Sequence, residues 1–259
     1  MMRAPTRTNF HSSRLVRVLA DLAMVDARAP DGDFAEKLGL WVKFTDAIAL
    51  SAVHSANLPG TPIGDQPTNR VALSEIYART RAGLVRSITQ MTLPHEGGTR
   101  QQRPSPEAGA DREDAVTYEP YRRSYLALQR DIELKVRPLR AHVREVLGQS
   151  SPALKKLATL DAALDTILSE RESKLLSTIP ALLEKRFHHL RQSHQQVLAE
   201  APHADHPAAP MQPAGWLACF GDEMQTVLLA ELDVRLHPTL GLIEAFNLNS
   251  TTAPHHTNV

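Results

Sequence analysis

The sequence predicts an all-α protein built from two helical units: an N-terminal helical hairpin or three-helix unit, and a C-terminal bundle of long helices, joined by a disordered linker. Three observations carry that prediction. Apolar residues recur at three- and four-residue steps almost everywhere outside the proline-rich stretches, the period of a helix with one buried face. No run alternates apolar and polar residues convincingly enough for a strand, and no repeat of fixed period stands out. Residues 94–116 hold three prolines, three glycines, five acids and three bases with almost nothing to bury, so they read as a flexible linker.

The first helix shows a stripe of Leu15, Val18, Leu19 and Leu22, with Ser12 or Ser13 as its natural cap. Asp33 followed by Glu36 has the spacing of a capping box. It opens a second predicted helix through Leu38, Trp41, Val42, Ile48 and Val53 toward Asn57, where Pro59, Gly60 and Pro62 end it. A third spans roughly 69–92 with Leu73, Ile76, Leu84 and Ile88 on its apolar side. These make up the N-terminal unit, 10–93.

The C-terminal unit, 117–247, opens with a long helix from Thr117. Ser151-Pro152 then signals a new start, serine as cap and proline at the first helical position, before Leu154, Leu157, Leu160, Leu164 and Ile167. The next run, Leu176, Ile179, Leu183, Phe187, Leu190 and Val197, makes the narrow seam of a bundle or coiled coil. Pro138 and Pro180 are expected to kink or split these runs. Residues 201–214 contain four prolines and read as loop. A last helix starts near Trp216, carries Leu228, Leu229, Leu232 and Leu236, bends at Pro238 and ends near Phe246, leaving 248–259 as a disordered tail.

Composition bounds the function. At 259 residues, 42% apolar and 22% charged, the chain has enough to bury a proper core. A formal net charge of zero argues against a dedicated nucleic-acid binder, although not against a local basic patch. The charge is uneven: residues 117–200 carry 14 basic and 10 acidic groups, and 201–259 carry 1 and 6, so the two segments are expected to meet. One cysteine, Cys219, permits no internal disulfide; in its apolar run it reads as a small buried residue. No clean apolar stretch is long enough for a membrane span and no secretory leader is evident, so the expected compartment is the cytoplasm.

The sharpest local feature is a ladder: Arg123, Arg130, Arg137 and Arg144 fall seven apart, which drifts by only about 20° per step and keeps them near one helical face. Such a rail could dock the acidic final helix (Asp222, Glu223, Glu231, Asp233, Glu244), meet an external acidic partner, or simply face water. Arginine suits carboxylate or phosphate because its planar fork pairs with either bidentately. Asp46, in a helix apolar on most sides, needs a partner if buried, and Arg14 and Arg17 of the first helix are the candidate cations for a structural ion pair. Twelve histidines invite a metal reading, but the only Glu-x-x-His spacing, Glu200 to His203, has Pro202 between its members. No metal site, cofactor or catalytic group is assigned. No Gly-x-Ser-x-Gly occurs, and Gly60-Thr-Pro-Ile-Gly64 lacks the ending of a phosphate loop.

Three stretches together resemble an uncharacterised proteobacterial domain-of-unknown-function family: Phe10 to Leu22, Phe34 to Trp41 with Thr45 to Ser51, and Leu228 to Glu244. The resemblance covers most of the chain. It implies genes often adjacent to proton-channel subunits of the flagellar-stator and Tol type and to OmpA-like envelope proteins, and hence a cytoplasmic accessory to an envelope assembly. It brings no catalytic residue. The expected function is therefore a non-enzymatic helical scaffold or adaptor with a protein partner, self-association included, and without membrane insertion. The alternatives are a nucleic-acid-associated regulator using the basic face of 117–147, and an enzyme with a site between the two bundles.

Overall fold

The computed structural model describes residues 13–22, 42–55, 67–91, 116–200 and 215–251. Among them every regular element is an α-helix: α1 Arg14–Asp21, α2 Phe44–Ser55, α3 Pro67–Thr89, α4 Glu119–Ser150, α5 Pro152–Leu176, α6 Ile179–Glu200 and α7 Gly215–Thr251. The linker, the Asp33–Glu36 capping box with the helix proposed to follow it up to Trp41, and the 201–214 loop lie outside the described residues.

Local signals set most of the boundaries. Ser151 caps α5 as its sequence predicts, its Oγ accepting the Leu154 N–H at 3.3 Å, with Pro152 at the first helical position. Asn249 of α7 donates to the same Oγ at 3.2 Å, so this turn is also tied to the far end of the chain. Ser151→Ala should cost about 1 kcal/mol, measurable as a lower melting temperature. Pro180 does separate two helices, the break falling at Ser177 and Thr178 just before it, so that the proline sits in the first turn of α6 where it needs no N–H partner. Pro138 and Pro238 break nothing: α4 and α7 run through them for 32 and 37 residues. The α7 helix also outlasts its expected end, since the predicted tail is still helical to Thr251.

The last helix is the hub. It contacts α1, α3, α4, α5 and α6, while α4 and α5 form an antiparallel pair across the Ser151 turn and α2 lies against α5. The main core draws Leu15 and Leu19 from α1, Leu84 and Ile88 from α3, Ile132, Val136 and Leu139 from α4, Leu183 and Phe187 from α6, and Phe220, Met224, Val227, Leu228, Leu232 and Leu236 from α7. The predicted N- and C-terminal helices thus share one apolar interior. A second, smaller cluster at the other end joins Leu73, Val143, Leu147, Leu154, Leu242, Ile243 and Phe246.

Aromatic rings close one end of the main core. Phe187 stands edge-on to Phe220 at 5.2 Å and to Trp216 at 5.2 Å, and Tyr118 and Tyr121 lie within 5.7 Å of it. Tilted and edge-on pairs of this kind favour the positive ring edge against a neighbouring negative face. The Tyr118 hydroxyl donates to the Pro180 carbonyl at 2.7 Å, and burial pushes its pKa up. The seam predicted for α6 holds from Ile179 to Leu190 but not to its end, because Val197 is exposed. Helix α2 is the exception to burial: none of its residues is buried, and Phe44 is 81% exposed.

Candidate functional site

Helix α4 offers two different surfaces, and the arginine ladder divides between them. Arg123, Arg130 and Arg137 are exposed on the outer face. Among the described residues Arg123 reaches only Glu119, at 3.8 Å, and Arg137 only Glu133, at 4.0 Å, each one turn back on the same helix. Exposed pairs this long contribute ~0–1 kcal/mol. Exposed Ala127, Leu134 and Ala141 interleave with the three arginines, so the stripe alternates basic and small or apolar side chains. Leu134 is 64% exposed.

Arg144 has left this face. Three heptads of drift add up to about 60°, enough to turn it from the outer stripe toward α5. Instead of meeting the acidic last helix, it pairs with Asp161 at 2.6 Å and Asp165 at 2.9 Å. Arg140, four residues earlier, grips the same two carboxylates: Asp161 bidentately at 2.6 and 3.0 Å, and Asp165 at 2.8 Å. The result is a closed square of two guanidinium groups and two carboxylates that staples the α4–α5 hairpin. Burial works against the Asp161 carboxylate, but the hydrogen bonds and charges of Arg140 and Arg144 outweigh it and hold its pKa below the ordinary value. Burial likewise opposes the charge of Arg144, and its bonds to Asp165 and Asp161 outweigh that, raising its pKa.

Among the described residues, Glu223 alone of the α7 acids forms an ion pair with the basic 117–200 segment, as the charge asymmetry suggests, while the cations on Asp233 come from α1 and α3 and that on Glu231 from α7 itself. Glu223 takes a bidentate pair from Arg186 of α6 at 2.6 and 2.9 Å. Asp233 receives Arg14 of α1 at 2.7 Å and Arg81 of α3 at 3.1 Å. Glu231 is fully buried and held by the Tyr125 hydroxyl at 2.7 Å, the Gln129 amide at 3.0 Å and Arg235 Nε at 2.9 Å. Burial, then the adjacent Glu231 charge, pushes the Tyr125 pKa well up, so the phenol stays a donor.

Two assignments made from the sequence need correcting. Asp46 does not pair with Arg14 or Arg17. Its Oδ2 accepts the backbone N–H of Lys43 at 2.9 Å, exposed in the first turn of α2, because the described helix starts at Phe44 and puts Asp46 where a side chain can reach back to the cap. Arg14 goes to Asp233, and Arg17 is exposed. Cys219 is exposed rather than buried: Trp216, Leu217 and Phe220 take the inner face of that turn. Partial burial, together with the Glu223 carboxylate 3.8 Å from its Sγ, raises the thiol pKa, which disfavours the thiolate.

Between α4, α5 and α7 lies a cleft of about 340 Å³, lined by Arg137 and Arg140 of α4, Asp165, Ser169, Glu172 and Ser173 of α5, and Val234, Arg235 and Pro238 of α7. It continues past Pro138 into a hollow beside Arg130 and Leu134, under the outer stripe. Among the described residues no group of three or more His, Cys, Asp and Glu side chains could hold a metal ion, and no described helix is long and apolar enough to cross a membrane.

Residues 1–248 match the family described as Protein of unknown function (DUF3348). The chain belongs to the DUF3348 family. That match takes in all three stretches on which the sequence resemblance rests, and the outer stripe, the arginine–aspartate square and the cleft all fall within the DUF3348 region. No curated protein and no solved structure matches the chain.

Proposed function

We propose that this DUF3348 chain is a non-enzymatic helical adaptor of the bacterial cytoplasm that presents the outer face of α4 to a protein partner. The observation that carries the reading is the exposed stripe Arg123–Ala127–Arg130–Leu134–Arg137–Ala141. Its cations are only loosely engaged within α4, and an exposed leucine sits between two of them next to a hollow of the surface. Basic residues around an apolar anchor suit an acidic amphipathic helix laid alongside, its acids on the arginines and an apolar side chain on Leu134. The gene neighbourhood that the sequence resemblance implies makes a subunit of an envelope-spanning proton-channel assembly the first partner to test.

The test is capture of partners from the native bacterium by wild type and by the triple variant Arg123→Glu, Arg130→Glu, Arg137→Glu. Because the three side chains are exposed, the triple variant should fold as wild type does, with unchanged circular dichroism and melting temperature within a few degrees. Recovery of a specific partner should fall at least tenfold. Equal recovery would place the interface elsewhere. The same arginines support a second reading, binding along a nucleic-acid backbone, which predicts affinity falling steeply with salt. Leu134→Ser separates the two: it should weaken a protein partner while leaving phosphate contacts intact.

A further inference from the structure

The charges around the α4–α5–α7 cleft are nearly all satisfied, and the one that is not defines a ligand. Three arginines and four carboxylates line the cleft. Arg140 is committed to Asp161 and Asp165, with Arg144 completing that square. Arg235 gives its Nε–H to buried Glu231, Arg137 leans on Glu133, and Glu170 is paired with Lys174 at 2.8 Å. Glu172 remains. Among the described residues it has neither an ion pair nor a hydrogen bond, although it is half-buried and faces the cleft-lining set of Arg140, Asp165 and Arg235 together with Glu231 beneath. Burial, the larger influence, pushes its pKa up, ahead of the opposing pull of Arg235 and Arg140. A carboxylate taken out of water without a partner is costly to keep charged, and a cation supplied from outside relieves that cost.

The acceptors beside Glu172 specify which cation. Ser169 and Ser173, each with a hydroxyl to offer, line the same cleft, as does Val234. Position 238 is proline, which has no N–H, so the Val234 carbonyl lacks the donor that a helix normally supplies four residues on. One carboxylate, one carbonyl without that helical bond and two hydroxyls provide a counter-charge and more than enough acceptors for the three N–H donors of a primary ammonium group. A volume of about 340 Å³ lies at the small end of ligand pockets and accommodates an alkyl chain behind that head.

We propose that this cleft binds a primary alkylammonium group, with Glu172 as its counter-ion and Ser169, Ser173 and the Val234 carbonyl as its remaining acceptors. The group can come from a free amine or from the lysine side chain of another protein. Isothermal titration of the full chain with 1,4-diaminobutane and, separately, with Nα-acetyl-lysine-N-methylamide distinguishes the sources: saturation by the diamine alone points to a free amine, and saturation by the lysine amide to a protein side chain. Glu172→Gln should weaken whichever probe binds at least tenfold. The same weakening should appear in wild type as the pH falls through the raised pKa of Glu172. Since glutamine removes a desolvated charge, the variant should melt at the same temperature as wild type or higher. Failure of both probes to saturate, equal binding by the variant, or a variant that melts lower would each overturn the proposal. None of these outcomes depends on whether the outer stripe of α4 recruits a partner.

Discussion

Glu231→Ala is expected to cost the fold on the order of 3–5 kcal/mol, because it removes a buried charge whose partners cannot follow it into water. Three donors converge on this carboxylate from two helices, Tyr125 and Gln129 of α4 and Arg235 of α7 itself, and the residue has no solvent exposure. Without it, the Tyr125 hydroxyl is orphaned in the core and the Arg235 guanidinium is left only 12% exposed without its counter-charge. Thermal or urea unfolding reads the effect, a melting temperature lower by roughly 10 °C for a chain of this size. Glu231→Gln is expected to recover part of the loss, since it keeps an acceptor for the tyrosine. A loss below about 1 kcal/mol for the alanine variant would mean that water enters and solvates the site, and that α4 and α7 are held by apolar contact alone.

The second large effect is expected at the hairpin square. Asp161→Ala leaves Arg140 and Arg144 sharing Asp165, and should lower stability by on the order of 2–3 kcal/mol at neutral pH, somewhat less than for a fully buried pair because these groups keep some contact with water. Its signature is its pH dependence. The folded-state pKa of Asp161 lies below its ordinary value of 3.8, so the stabilisation is complete above that value and disappears as the pH falls through the lower, folded-state one. The gap between wild type and variant should therefore be widest at neutral pH and narrow in acid. A constant gap from pH 7 to pH 2 would assign the loss to packing instead.

Features encoded over a few residues were legible before the structure. The Ser151-Pro152 start and the apolar faces of α1 and α3 depend on spacing alone, and the geometry follows them. Pairing between helices was harder to read. Arg140 lies eleven residues before Ser151 and Asp161 ten after it, so folding the chain at that turn sets these two opposite one another, and Arg144 and Asp165 each lie one helical turn away on the same faces, within reach of long side chains. That symmetry was present in the sequence, but it matters only once the two helices are known to be antiparallel neighbours. The heptad ladder drew attention to Arg144 and away from Arg140, because a period of seven tracks one face for about two heptads and then drifts off it.

A carboxylate isolated in apolar surroundings does need a partner, but the residue in that situation is Glu231 and not Asp46. Asp46 meets that condition on paper, yet it stands at a helix start, where backbone N–H groups are available to a carboxylate. Glu231, set among Leu228, Leu229, Ala230 and Leu232, meets the same condition in mid-helix, where no free N–H exists and the partner has to come from another helix. Position within a helix decides between the two cases, and the non-helical Val42 and Lys43 that make Asp46 a first-turn residue were not read from the sequence. The Glu172 cleft gave no local signal, since it depends on three helices meeting and on which charges there are already paired.

Because α7 is the element against which five others pack, the order of synthesis matters. Leu15 and Leu19 are made well before their apolar neighbours on α7 and before the Asp233 that receives Arg14, 219 positions further along. The faces of the earlier helices that pack on α7 therefore stay uncovered until α7 itself has been made. Helices α4 and α5 can pair before then, but the main interior closes only once α7 arrives, and apolar faces left uncovered in the meantime favour aggregation.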